Sequence, residues 1–273
     1  MIYAGIDPSL ESTAMFLYDS ETSQYGYYSF FVTPEGKLQR KKQQAIDKLK
    51  ECGVDVNVIA NYVDRRKVKQ AKIQNDNNIK QQASAVYDAV KDILDNGDDI
   101  ESLVSLLEDA HKDDLIVYKL MAENDLNRFV TMKIVASMVK DTIISFCTKY
   151  SCIDTIISIE APAYVASGSS SVDLIAGCAF IRDIPNVLKD CGINVNNTYM
   201  LPPTSVKKEA TGRGTATKEE MCEAFAKKGP NDAFRELVAK TSNIKDYKPM
   251  DDIVDAYFMT YFIIGNELSK IIN

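Results

Sequence analysis

The chain has 273 residues and a formal net charge of −7. Its 45% hydrophobic and 26% charged content fits a globular chain with one sizeable core. The acidic balance weighs against a generally nucleic-acid-coating protein, although net charge conceals local distribution. No apolar run reaches the roughly 18 residues needed to cross a bilayer, and the N-terminus lacks a leader pattern. The expectation is therefore a cytoplasmic protein with no membrane partner.

The six cysteines (Cys52, Cys147, Cys152, Cys178, Cys191, Cys222) form no C-x-x-C pair, so they read as reduced thiols. The one histidine, His111, lies in the polar stretch "LEDAHKDDL", which disfavours histidine-based catalysis or a histidine-rich metal site.

In chain order, 2–7, 13–18 and 25–33 are rich in β-branched and aromatic residues. They predict three strands joined as an antiparallel meander. From 36 to 126 the chain turns polar and helix-favouring, which predicts a helical insertion with a long exposed helix around 60–94. Its first part is basic, around Arg40, Lys41, Lys42, Arg65, Arg66, Lys67 and Lys69, and its later part is acidic. Solvated helix faces explain such runs; a DNA-contacting arm is the alternative.

Helical spacing resumes over 127–150, and "DTIISIEAP" predicts a buried strand ending at Glu160. A helix over "SSSVDLIAGCAFIRDIPNVLKDC" and a strand in "INVNNTYMLPP" follow. Thr217 and Glu220 stand at capping-box spacing before another helix. A last helix begins at "MDDIVDAYF". Three strands followed by strands alternating with helices is an α/β layered pattern.

Four acids stand out. Asp7 and Glu160 each end an apolar strand, and Asp252 and Asp255 share one helix face at i, i+3 spacing. Dipole pairing in a first helical turn accounts for Asp251 and Asp252. It does not account for Asp255 in an apolar stretch, nor for Asp7 or Glu160. Clustered carboxylates need a cation between them, and oxygen ligands without His or Cys point to Mg²⁺, with Mn²⁺ as a substitute. In "PPTSVKKEATGRGTATKEEM", two glycines before a capped helix are flanked by Lys207, Lys208, Arg213 and Lys218. Backbone amides and cations together suit a backbone phosphate.

On these residues the chain resembles the RuvC-type Holliday-junction resolvases, which have the RNase H-like fold. "GIDPSLESTA" resembles the first-strand motif, with Asp7 as its aspartate, and "ISIEAP" the strand bearing the glutamate, at Glu160. "VKKEATGRGTATK" is similar to the segment whose two lysines approach DNA, here Lys207 and Lys218. "DDIVDA" resembles the C-terminal D-x-x-D-A motif, at Asp252 and Asp255. The likeness covers about 1–33 and 127–273.

The resemblance implies an RNase H-like mixed sheet, with the antiparallel meander followed by parallel strands, flanking helices and a helical insertion. The nuclease domain would be 1–35 with 127–273, and the insertion 36–126. It implies a Mg²⁺-dependent endonuclease with two ions per site, acting on branched DNA as a homodimer. Asp7, Glu160, Asp252 and Asp255 would be catalytic metal ligands and Lys218 a catalytic cation. Lys207, Lys208, Arg213, Lys218 and Tyr164 would contact DNA. Two departures are clear: the long insertion, which suggests a phage or viral branch working in the host cytoplasm, and Ala163 where bacterial members carry an aromatic, with Tyr164 one residue on.

Rival readings are an RNase H-like nuclease for flaps, forks or RNA–DNA hybrids, and a non-catalytic junction binder. A binder gains nothing from four acids facing phosphate. An ATPase of the actin/sugar-kinase type would need a D-x-G-G-T loop, which is absent.

Overall fold

A computed structural model describes residues 1–34, 40–61, 81, 85, 88–89, 91–92, 116–161, 178–241 and 249–272. The chain divides into two compact units, 1–60 with 131–273, and 61–130. The first unit carries the sheet. The second includes the N-terminal part of the helix Ile116–Lys149.

Six strands, β1 (Ile2–Asp7), β2 (Ser12–Asp19), β3 (Tyr25–Pro34), β4 (Asp55–Asn61), β5 (Asp154–Glu160) and β6 (Asn194–Leu201), form one sheet in the order β4-β3-β2-β1-β5-β6. β1 runs antiparallel to β2, and β2 antiparallel to β3. β1 runs parallel to β5, and β5 parallel to β6. An antiparallel meander whose first strand then pairs with a parallel strand is the RNase H-like arrangement that the resemblance implies.

Helices cover both faces. They are α1 (Arg40–Glu51), α2 (Ile116–Lys149), α3 (Ala179–Arg182), α4 (Ile184–Asp190), α5 (Pro203–Thr211), α6 (Lys218–Lys228), α7 (Ala233–Lys240) and α8 (Met250–Ile272). Strand alternation divides the core in two. Ile2, Ala4, Ile6, Ile157 and Ile159 pack with α2, α3 and α4. Ala14, Phe16, Tyr27 and Ile156 pack with α8, α5, α6 and α7 on the other face. Parity therefore assigns Gly5, Asp7, Ser158 and Glu160 to the α8 face.

α8 lies against β1 at backbone contact. A Cβ on Gly5 would stand 2.2 Å from the Ala256 carbonyl oxygen and 2.9 Å from the Thr260 nitrogen, so only glycine permits this approach. Thr260 Oγ1 lies 3.2 Å from the carbonyl of Phe16 in β2, which ties the helix to the next strand as well.

Several stretches differ from the sequence reading. Residues 40–61, assigned there to the helical insertion, fold as α1 and a sixth strand at the β3 edge of the sheet unit. Ile46, Leu49, Val54 and Val56 bury there, a signal masked by the lysines around it. α2 starts at Ile116, ahead of the expected 127. Of the single helix expected before β6, the described residues 178–191 form two short helices meeting at Asp183, with Pro185 in the first turn of the second, and 169–177 lie outside the described residues. The glycine segment holds an unexpected helix, α5, ended by Gly212 at φ 82°. That left-handed position explains the glycine as a C-cap. α6 starts with the expected capping box of Thr217 and Glu220. The expected helix around 60–94 falls almost wholly outside the described residues, as does His111.

Candidate active site

Three elements bring the acids together. In the parallel β1–β5 register Ile6 stands beside Ile159, so Asp7 and Glu160 are each the next residue at the same sheet end. Both point to the α8 face by parity. The first turns of α8 carry Asp251, Asp252 and Asp255. The close Gly5–Ala256 approach sets that helix against β1 two residues before Asp7. Asp7 is 7% exposed, Asp252 5% and Asp251 3%.

The electrostatics report how near these groups are. Burial raises the Asp7 carboxyl well above the usual range, and the charges of Glu160, Asp252 and Asp255 raise it further. Burial likewise raises Glu160, against a hydrogen bond with Asp7 and the positive charges of Lys207, Arg182 and Lys218. The two carboxyls interact directly, and burial together with the neighbouring acids holds the pair toward its protonated form. Asp255 is pushed up to about 8, first by burial and then by Glu160, Asp252 and Asp251, with Lys218 opposing. Four carboxylates from three elements thus feel one another strongly. They cannot all ionise without a positive charge among them.

Among the described residues, no three acidic, cysteine or histidine side chains are already converged in ligating geometry. Asp251 accepts an ion-pair hydrogen bond from Lys218, and the buried Asp7, Glu160 and Asp255 are all shifted toward the protonated form.

The basic residues divide. Lys207, on α5, and Lys218, first residue of α6, both act on Glu160. Lys208 points to solvent on α5. Arg213 is exposed and pairs with Glu220 of the capping box, which ties it to the α5–α6 turn. Tyr164 lies outside the described residues.

Two residues at the site had no sequence signal. The positive charge of Arg182 in α3 acts on Glu160 alongside Lys207 and Lys218, yet nothing in "AFIRDIP" marks it. Asp251 looked like an ordinary first-turn helix acid, and its bond to Lys218 spans thirty-three positions of sequence. A cleft of about 490 Å³ on the α2 side, lined by Tyr28, Asp55, Phe146 and Tyr150 among others, contains none of Asp7, Glu160, Asp251, Asp252 and Asp255.

No family model and no curated protein matches this chain. Solved structures that align along most of it include the following. One is described as Thermus thermophilus RuvC, at 12% identity over 97% of each chain with a TM-score of 0.34. Another is T. thermophilus RuvC in complex with Holliday junction substrate, at 10% identity over 97% of this chain and 96% of that chain, also with a TM-score of 0.34. With a likeness of that size, the fold here rests on the strand order and directions. No described helix is long and apolar enough to cross a membrane.

Proposed function

We propose that this protein is a divalent-cation-dependent, structure-selective endodeoxyribonuclease that hydrolyses phosphodiesters in four-way DNA junctions. One observation carries the reading: Asp7, Glu160, Asp252 and Asp255 meet on one face of an RNase H-like sheet, with lysines of α5 and α6 beside Glu160.

The residues fit hard divalent cations such as Mg²⁺ or Mn²⁺. The donors are all oxygen, and burial and mutual charge hold Asp7, Glu160 and Asp255 toward the protonated form, a strain that a cation among them would relieve. Asp7, Glu160, Asp252 and Asp255 would hold the cations. When bound, a pair of such ions supplies a water activated for attack and charge for the leaving oxygen.

The chain's own residues do the rest. Asp7 and Glu160, held toward the protonated form by burial and by each other, would bind a cation as carboxylates. Lys207 and Lys218 neutralise the incoming phosphate, which otherwise meets a wall of carboxylates. Gly5 holds α8 against β1 and so fixes the separation of Asp252 and Asp255 from Asp7. A junction has near two-fold symmetry, so two coordinated cuts call for an isologous dimer.

The test is cleavage of four-way, three-way, flap, fork and RNA–DNA hybrid substrates of matched length, with Mg²⁺ or Mn²⁺ and with EDTA. The expected result is paired symmetric nicks in the four-way junction only, abolished by EDTA. Preferential cleavage of flaps, forks or hybrids moves the protein to another substrate of the same chemistry. Tight junction binding with no cleavage under either metal makes it a binder and overturns the proposal.

A further inference from the structure

The geometry points to Asp251 as a positioning residue for the Lys218 ammonium, holding it at the rim of the acid cluster where a phosphate arrives. The inference rests on the nuclease reading above and concerns an acid outside the four that the reading uses as ligands.

Lys218 is the first residue of α6, where the helix dipole disfavours a cation. Glu219 and Glu220 already serve that helix end. The position of Lys218 therefore does α6 no good, and its partner lies elsewhere. Its Nζ donates to Asp251 Oδ2, in the first turn of α8. The two ends of the pair differ sharply: the Lys218 side chain is 45% exposed and the Asp251 side chain 3%.

A carboxylate buried only to suit a helix dipole gains nothing from burial. Asp251 is buried, and its second oxygen, Oδ1, has no hydrogen-bond partner. A buried acceptor left unmade is destabilising. That arrangement makes sense as a rigid anchor from which a mobile lysine is held. The charge of Lys218 also reaches Asp255 and Glu160, so the anchored ammonium lies at the exposed rim of the acid cluster. A free lysine stem would have to be ordered each time a phosphate arrives. The tether orders it beforehand, so its loss should appear in the rate at saturating DNA and not in DNA affinity.

The experiment compares wild type, Asp251→Ala, Asp251→Asn, Lys218→Ala and the Asp251→Ala/Lys218→Ala double variant on a four-way junction with Mg²⁺. Asp251→Asn is the near-isosteric control for folding. Asp251→Ala should lower kcat roughly 10–100-fold, as for a misplaced catalytic group, with KM for DNA within about twofold. It should have no further effect once Lys218 is alanine, the mark of a residue acting through another. An equal loss in the Lys218→Ala background overturns the inference, because Asp251 then acts on its own account.

A second readout needs no activity. Acetic anhydride labelling read by peptide mass spectrometry should modify Lys218 several-fold faster in both Asp251 variants, relative to exposed Lys189. Unchanged labelling overturns the tether. Faster labelling in both variants, alongside a wild-type protein that cleaves nothing, supports the tether and sinks the nuclease reading instead.

Discussion

The acid cluster makes a quantitative demand on stability. Asp255 is pushed up to about 8 in the folded protein, while an unfolded aspartate titrates near 3.8. Between those values the folded state binds the extra proton. Stability from this group is therefore full below about pH 3.8 and is lost as pH rises toward 8. One proton of difference costs about 1.4 kcal/mol per pH unit, so the interval from pH 5.5 to 7.5 removes about 3 kcal/mol. For a unit of this size each kcal/mol moves Tm by about 2–4 °C, so Tm should fall roughly 5–10 °C over that interval. Asp7 and Glu160 are raised too and push the same way.

The measurement is thermal unfolding in EDTA at both pH values, for wild type and Asp255→Asn. The variant cannot ionise at that position, so it should lose less stability with pH and melt above wild type at pH 7.5. Saturating Mg²⁺ should raise wild-type Tm most at the higher pH, where the carboxylates are free to bind it. A wild-type Tm in EDTA that is flat or rising from pH 5.5 to 7.5 would refute the reasoning. So would an Asp255→Asn variant with an unchanged pH slope.

Other outcomes follow from single contacts. Asp7→Asn and Glu160→Gln should each cut cleavage by orders of magnitude while junction binding in a gel-shift assay stays level or tightens, since each removes a negative charge facing DNA. Wild-type turnover in Asp7→Asn would end the metal-ligand assignment. Lys207→Ala should weaken junction binding and reduce the slope of log affinity against log salt by about one, the signature of one lost phosphate contact; an unchanged slope removes Lys207 from the DNA surface. Gly5→Ala should force α8 off β1, costing about 1–3 kcal/mol by overpacking and blunting the Mg²⁺-induced rise in Tm; a variant as stable and as Mg²⁺-responsive as wild type would show that the β1–α8 contact is not what spaces the acids.

Much of this protein could be read from local pattern. The apolar, β-branched runs in "IYAGID" and "DTIISIE" determine the strands and place Asp7 and Glu160 at their ends. The i, i+3 spacing of Asp252 and Asp255 needs only a helix. Thr217 and Glu220 determine where α6 starts, since a capping box is a contact between residues three apart. Other features are decided only by the tertiary structure. That β1 and β5 are parallel neighbours in register depends on pairing across more than a hundred and forty residues, which no local preference encodes. The Gly5–Ala256 contact, the Lys218–Asp251 pair and the charge of Arg182 on Glu160 likewise join distant elements. β4 escaped the sequence reading because a short strand between lysine-rich stretches carries too little periodicity; the open edge of β3 gives its backbone the hydrogen bonds it lacks alone. Local chemistry thus chose the residue types and the faces they occupy. Only the packing of α8 on β1 made the separate acids one electrostatic site, because carboxylates perturb one another only when burial and a few ångströms of separation act together.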